Sequence, residues 1–336
     1  MVIRIKQIGR YLKDTCKVQD DLSLVTDTRE EPFYPTGMMT AACLLAFLCR
    51  TKSTRQMCRR LTKKGWRRFI GLPLFKSTPV EGAFRHFYPK LETNSVRAAV
   101  VSSVKRMRRA KIHSTTEFDG LRVLSVDGCQ PFSTRHFSCD GCIKHEVYRC
   151  CAEEGDPPLI WYEHRIVTAR LIGDSFSPWV GFISQLPQTD KGGHEGEITA
   201  LPRLLEQITQ DYGIKTIDVV IADALHATSS FIEECEKYGF WATFVAKGNA
   251  PSLQSGFESR PLPKPTMVTK KVKEGQVTAT IWRQENIFLS TCKLPLQVLK
   301  IHQLVETMGG KVLREDIRWI ASRIPVSWVL EELSSM

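Results

Sequence analysis

From residue 1 to about 115, apolar positions recur at spacings of three and four with polar stretches between them, which is the period of amphipathic helices. The run "AACLLAFLC" (41–49) predicts a buried helix and is too short to cross a bilayer. A pair of basic helices is expected around 54–70. In "STPVEGAF" (77–84), Thr78 is placed to cap, Pro79 to take the first helical position and Glu81 to close a capping box, with the Pro89 break as the stop. After "HSTTEFDG" (113–120), a polar linker, the period changes. Strand patterns at 121–126, 162–172, 178–184, 216–222 and 240–246 are interleaved with two amphipathic helices. The first helix, "EGEITALPRLLEQITQDYG" (195–213), stops at Gly213; the second, "TSSFIEECEKYG" (228–239), is capped near Thr228 and stops at Gly239. Strands joined through a helix of this length form a right-handed crossover, so part of the sheet is parallel. Residues 247–266, rich in Gly, Pro and Ser, predict an irregular excursion. Strand-like pieces at 277–289, 296–307 and 314–324 follow, and "PVSWVLEELSSM" (325–336) reads as a helix start.

Composition changes this picture in one respect. With 336 residues, 42% hydrophobic and 25% charged, the chain is of ordinary globular make-up, long enough for two or three domains. The net charge of +11 is unevenly placed: residues 1–115 carry 24 Lys and Arg against 8 Asp and Glu. Such density, in "TKSTRQMCRRLTKKGWRRF" (51–69) and "VKRMRRAK" (104–111), suits phosphate neutralisation, although a solvated helix face is the plainer alternative. The candidate DNA contacts are Arg55, Arg59, Arg60, Lys63, Lys64, Arg67, Arg68, Lys105, Arg106, Arg108 and Arg109. Successive short basic helices are compatible with a helix-turn-helix-like unit. No signal-peptide arrangement precedes the apolar run, and the eleven cysteines, an odd number over a long chain, fit reduced thiols. The expectation is a soluble, cytoplasmic protein with no membrane partner.

Candidate chemistry comes from two acids. "VLSVDGCQ" (123–130) runs an apolar strand into Asp127, and "VVIADAL" (219–225) does the same with Asp223. A turn-capping Asp-Gly explains the first by itself. Two carboxylates at one sheet edge are costly together unless a divalent cation lies between them, and Mg²⁺, an oxygen-liganded ion usually held by one or two carboxylates, is the natural occupant. Such sites activate a water or a 3′-hydroxyl for phosphodiester displacement.

With "VLSVDGCQPFSTRHFSCDGC", "VVIADALHATSSFIEECEKYGFWATFVAKGN" and the basic helical N-terminus in view, most of the chain resembles the DDE transposases of bacterial insertion sequences, of the insertion-sequence-four type. The resemblance implies an α/β fold: an RNase H-like mixed sheet with flanking helices and a β-rich insertion (about 248–324), preceded by a basic helical region, so that domains run 1–115 and 116–336. It implies catalytic Asp127 and Asp223 holding Mg²⁺ or Mn²⁺. The implied partners are double-stranded DNA, both transposon terminal inverted repeats and target, with a homo-oligomer on the DNA. The setting would be a prokaryotic nucleoid, and the reaction DNA transposition by strand cleavage and transfer. The third acid of that family, a Glu on a helix after the insertion in a motif like "HWxIE", is not matched: "REDIRWIASRIP" (314–325) resembles the preceding strand, and Glu331 and Glu332 follow too soon. A C-terminally truncated frame is therefore expected, and a catalytically inactive DNA-binding protein or inhibitor is the alternative function. Glu195 and Glu197 read instead as helix N-terminal acids favoured by the macrodipole.

Cys139 and Cys142 form a CxxC, followed by His145, Cys150, Cys151 and His164. A structural zinc on Cys139, Cys142, Cys150 and Cys151, buried free thiols and a redox pair all remain open. His226 is expected as a helix-entry polar residue, Lys247 as a strand-end residue that could face DNA, and the tryptophans at 161, 179, 241, 282, 319 and 328 as core.

Overall fold

The computed structural model describes residues 16–111, 115, 120–148, 157–173, 177–187, 193–272, 275–307 and 309–324. The chain divides into two units, 1–112 and 113–336.

The first unit is helical: α1 Val18–Leu22, α2 Thr36–Leu48, α3 Thr54–Leu61, α4 Lys64–Phe69, α5 Glu81–Phe87 and α6 Thr93–Arg109. Met39, Ala42 and Leu45 of α2 meet Met57 and Leu61 of α3, Trp66 of α4, and Phe84 and Phe87 of α5 in one dry core. The expected buried helix and basic pair are α2, α3 and α4, with Ser53 capping α3 by accepting from Gln56 N–H. The expected capping box is not formed. Helix α5 starts at Glu81 with Val80 as its uncapped N-cap, because the Pro79 ring lies buried ahead of the first turn instead of within it. The Pro89 stop is observed, as a 3₁₀ turn over Tyr88–Lys90.

Two buried carboxylates tie the first unit together. Asp21 on α1 accepts both Arg106 guanidinium nitrogens and the Ser103 hydroxyl from α6. Asp27 accepts from Arg29 N–H, its guanidinium and the Thr36 hydroxyl at the start of α2, and the Arg29 hydrogen bond draws its pKa down to about 2. A depressed carboxylate stabilises the fold above its unfolded pKa and loses that contribution as pH falls through the folded one. The unit should therefore lose at most about 2 kcal/mol between roughly pH 4 and pH 2. Asp27→Asn should flatten that acid limb in a urea-melt series; a limb of unchanged depth would show that Asp27 is not its source.

The second unit is one mixed sheet with helices on it. Its strands are β1 Val123–Thr134, β2 Ile143–Val147, β3 Leu159–Ile172, β4 Trp179–Ser184, β5 Val219–Ala222, β6 Trp241–Ala246, β7 Thr266–Val272, β8 Gly275–Ile287, β9 Leu296–Glu306 and β10 Val312–Ser322. The order is β2-β3-β1-β5-β6-β10-β9-β8-β7, with β4 on β3 beside β2. Among the described residues, β1-β5 and β5-β6 pair in parallel and the other pairs are antiparallel. The crossover helices are α7 Glu197–Tyr212 and α8 Ser229–Lys237, with α9 Pro251–Glu258 further on. Helix α7 packs Leu204 and Ile208 onto Gly181 of β4, and α8 packs on β6. Gly213 and Gly239, at φ of 84° and 73°, stop these helices as expected because a left-handed residue costs glycine least.

Three expectations need correction. The first strand does not end at residue 126: β1 continues through Asp127 and Gly128, so the Asp-Gly turn is absent, and a register shift between Cys129 and Phe132 carries the strand on along β3. The stretch 247–266 is not all irregular. It contains α9, which Pro251 begins and which buries Leu253 and Phe257 one turn apart. The β-rich segment continues the main sheet through β10 on β6, Trp319 opposite Ala246, and it gains an unforeseen strand, β7. The expected helix start at 325–336, with Glu331, Glu332 and Trp328, falls outside the described residues. No helix among the described residues is long and apolar enough to cross a membrane.

Candidate acidic metal centre

Strand register carries the two acids to one end of the β1-β5 pair. Val123, Leu124 and Ser125 of β1 lie opposite Val219, Val220 and Ile221 of β5. Below them Arg122 clamps Asp218, again 96 residues on, through its backbone N–H and its guanidinium. Against the desolvation of its half-buried setting, these Arg122 hydrogen bonds hold Asp218 below the usual carboxylate range. Continuing the same offset past the last paired residues places Asp127 opposite Asp223. Both acids thus lie two residues beyond the last paired residue of their strand, at the same end of the β1-β5 pair. Both are solvent-exposed.

Each is locally held. Thr168 on β3, the partner of Asp127, donates its hydroxyl to the Asp127 carbonyl at 3.0 Å. Asp223 ends β5 and caps the 3₁₀ turn Ala224–His226 by accepting from Leu225 N–H. His226 is wholly buried, with Nδ1 3.1 Å from Asp223 Oδ1 and its ring edge-on to Phe231. It is thus the residue that orients Asp223, beyond the helix-entry role expected for it. Asn249, after β6, donates its side-chain amide to the Ala224 carbonyl and braces the same turn. Lys247 is exposed at the end of β6, as expected.

A third acid arrives from α7. Glu197 is its first residue, and an added Cβ on Gly128 would overlap the Glu197 carboxyl group. The carboxylate therefore lies against bare backbone next to Asp127. Burial pushes the Glu197 pKa up; the charge of His226 opposes this, while the charges of Asp223 and Asp127 add to it. One carboxyl group thus feels both acids at once, with Arg165 as a further nearby cation. Glu195, its neighbour, does something else. It is buried, accepts from Leu186 N–H at 2.9 Å and is paired with Arg203. Neither glutamate is simply a macrodipole acid. The signal for Glu197 was its position opening the helix between the two Asp strands, but no linear spacing reveals a contact with Gly128.

This donor set suits a hard divalent cation, because it is all oxygen and acidic and its two Asp residues are open to solvent. The three carboxylates are not gathered within 4.8 Å of one another. Gly128→Ala should displace the Glu197 carboxylate while costing little stability, because the flexible end of a side chain gives way. The check is Mn²⁺ affinity against melting temperature: an about tenfold weaker ion with a nearly unchanged melt is expected.

The one set of three metal-capable donors within 4.8 Å among the described residues is elsewhere: Cys139, Cys142 and His164. Cys150 and Cys151, expected with the two cysteines, lie outside the described residues, and it is His164 of β3 that the fold brings to them.

Of the candidate DNA contacts in the first unit, Arg55, Arg59, Lys63, Lys64, Arg68, Lys105 and Arg109 are exposed and Arg108 is half-buried. Several are engaged internally, Arg109 among them through its Nε donating to the Lys105 carbonyl. Arg67 is buried and donates to the Pro73 and Lys76 carbonyls, so it is removed from the phosphate-contact set; Arg60 donates to the Cys49 carbonyl and Thr51 hydroxyl; Arg106 is bound to Asp21. Helix α4 spans six residues, under two turns, which is short for a helix lying in a major groove. Among the tryptophans, Trp66 and Trp319 are core, whereas Trp179 is half exposed beneath the Arg170 guanidinium, 5.4 Å from its ring centroid. Compared with known proteins, the chain matches no family model and no curated sequence.

Proposed function

We propose that the second unit is an RNase H-like core that cleaves and transfers DNA strands with Mg²⁺ or Mn²⁺, as in the insertion-sequence DDE transposases the sequence resembles. The observation that supports this reading is the 96-residue offset of the β1-β5 pairing, past whose last pair, Ser125 and Ile221, Asp127 and Asp223 each follow by two residues. The order β4-β3-β1-β5-β6, antiparallel on one side of β1 and parallel on the other with helices in the crossovers, supports the fold reading. Asp127 and Asp223 would hold the cation, Glu197 adds a carboxylate against Gly128 beside Asp127, and His226 positions Asp223. A bound ion there supplies Lewis-acid polarisation of the phosphodiester and a more acidic coordinated water. The exposed basic residues of α3, α4 and α6 bind phosphates of the transposon end and the target, so binding weakens steeply with salt.

The test uses the full chain with duplex DNA bearing the inverted repeats that flank its reading frame, and scores nicks and joined products. Cleavage in Mg²⁺ or Mn²⁺, none with chelator, and repeat-dependent joining are expected. Repeat-specific binding without cleavage in either ion would leave only the DNA-binding role.

A further inference from the structure

We infer that Cys139, Cys142 and His164 form a zinc site that pins the β1-β2 connector to β3, separate from the acidic centre and independent of the reading given to it. The connector 135–142 leaves β1 at Thr134 and turns through "CDGC", with Cys142 N–H donating to the Cys139 carbonyl at 2.9 Å. His164 reaches it from β3, next to Phe132 across the strand pair.

The distances decide between the chemistries open to a CxxC. The two sulfur atoms are 3.6 Å apart, far beyond the roughly 2.05 Å of a disulfide. Cys139 Sγ and Cys142 Sγ lie 3.3 and 3.4 Å from His164 Nε2. A tetrahedral zinc with bonds of about 2.3 Å to sulfur and 2.0–2.1 Å to nitrogen has edges of about 3.8 Å between sulfurs and about 3.6 Å from sulfur to nitrogen. The triangle matches all three edges to within about 0.3 Å. Cys139 N–H also donates to Cys142 Sγ at 3.3 Å, a bond that strengthens when the sulfur is a thiolate. Buried inert thiols do not describe the set, because Cys139 is exposed and Cys142 half-buried. One face of a tetrahedron is built, and its apex is left for water or a further donor.

The site lies four residues along β3 from Thr168, the partner of Asp127, or about 13 Å. Zinc release and loss of Mg²⁺ at the acids are therefore separable events. By closing the connector, the metal holds the arm of β1 that extends beyond β5 and is otherwise paired with β3 alone.

The test measures zinc in the full chain purified under reducing conditions, with cobalt as the spectroscopic probe. About one zinc per chain is expected, with Cys139→Ser and Cys142→Ser each losing it and His164→Cys retaining it. Cobalt should give tetrahedral visible bands and a thiolate charge-transfer band, stronger by about half in His164→Cys, which has three thiolates for two. Chelation should raise trypsin cleavage at Arg135 roughly tenfold. A zinc-free chain without a cobalt charge-transfer band, a recovered Cys139–Cys142 disulfide, or zinc that persists in Cys139→Ser would each overturn the site. None of these outcomes depends on DNA cleavage.

Discussion

Asp127→Asn should reduce metal-dependent strand cleavage by at least about 10³-fold while leaving the fold and DNA binding intact. Asp127 is exposed and its backbone pairs with Thr168, so neutralising its carboxyl removes little stabilisation. What it removes is half of the charge that draws a cation to the end of β1. Asp223→Asn should be as damaging to cleavage but less clean, because Asp223 Oδ1 also caps a turn and meets His226. The measurement is nicking rate in Mg²⁺ alongside thermal melting and DNA affinity. Cleavage by Asp127→Asn within about threefold of the parent chain would remove the acidic centre from the mechanism altogether.

Glu197→Gln should separate activity from stability in opposite directions. Burial, and the charges of Asp223 and Asp127, raise the Glu197 pKa, which means that ionising it costs the folded state free energy. The sign follows: a carboxylate raised above its unfolded pKa weakens the fold as pH rises through the interval between the two values. Neutral glutamine avoids that penalty, so the metal-free variant should melt at the same temperature as the parent or slightly higher at neutral pH. Cleavage should nonetheless fall by about 10²-fold, with weaker Mn²⁺ binding, and added Mg²⁺ should stabilise the variant less than the parent. In the parent, cleavage should fail on acidification at a pH above the ordinary glutamate range, a limb that the variant lacks. A variant that melts well below the parent would assign Glu197 to packing rather than to the ion.

The same pair of acids shows how far the linear chain speaks. Each is announced locally: an apolar strand that ends in a carboxylate is legible from four or five residues, and the two helices between strands are legible from their period, caps and glycine stops. That is enough to predict a parallel crossover, and β1, β5 and β6 do pair in parallel. Where the pattern misled, a local rule lost to tertiary pairing. Asp127-Gly128 has turn composition, yet β3 supplies partners on through Thr134 and keeps β1 extended. Residues 251–258 carry loop composition, yet a Leu253–Phe257 pair buried one turn apart makes a helix. Basic charge was legible by counting, but counting could not tell Arg68, which is exposed, from Arg67, which is buried and donates to the Pro73 and Lys76 carbonyls.

By itself, then, the amino-acid order determined the kinds of element, their succession, the excess of cationic charge in the first 115 residues, and the two acids most exposed to suspicion. These are properties of neighbours along a chain, set by periodicity, capping and composition. Tertiary structure alone decided that Asp127 and Asp223 come to one end of the β1-β5 pair, through a register that sets Val123–Ser125 against Val219–Ile221 and Arg122 against Asp218. It alone brought Glu197 over a side-chain-free glycine and joined His164 to a pair of cysteines more than twenty positions earlier. The reason is physical: a site is a matter of separation in space, and folding sets that separation by pairing and packing segments whose distance in sequence carries no trace of it.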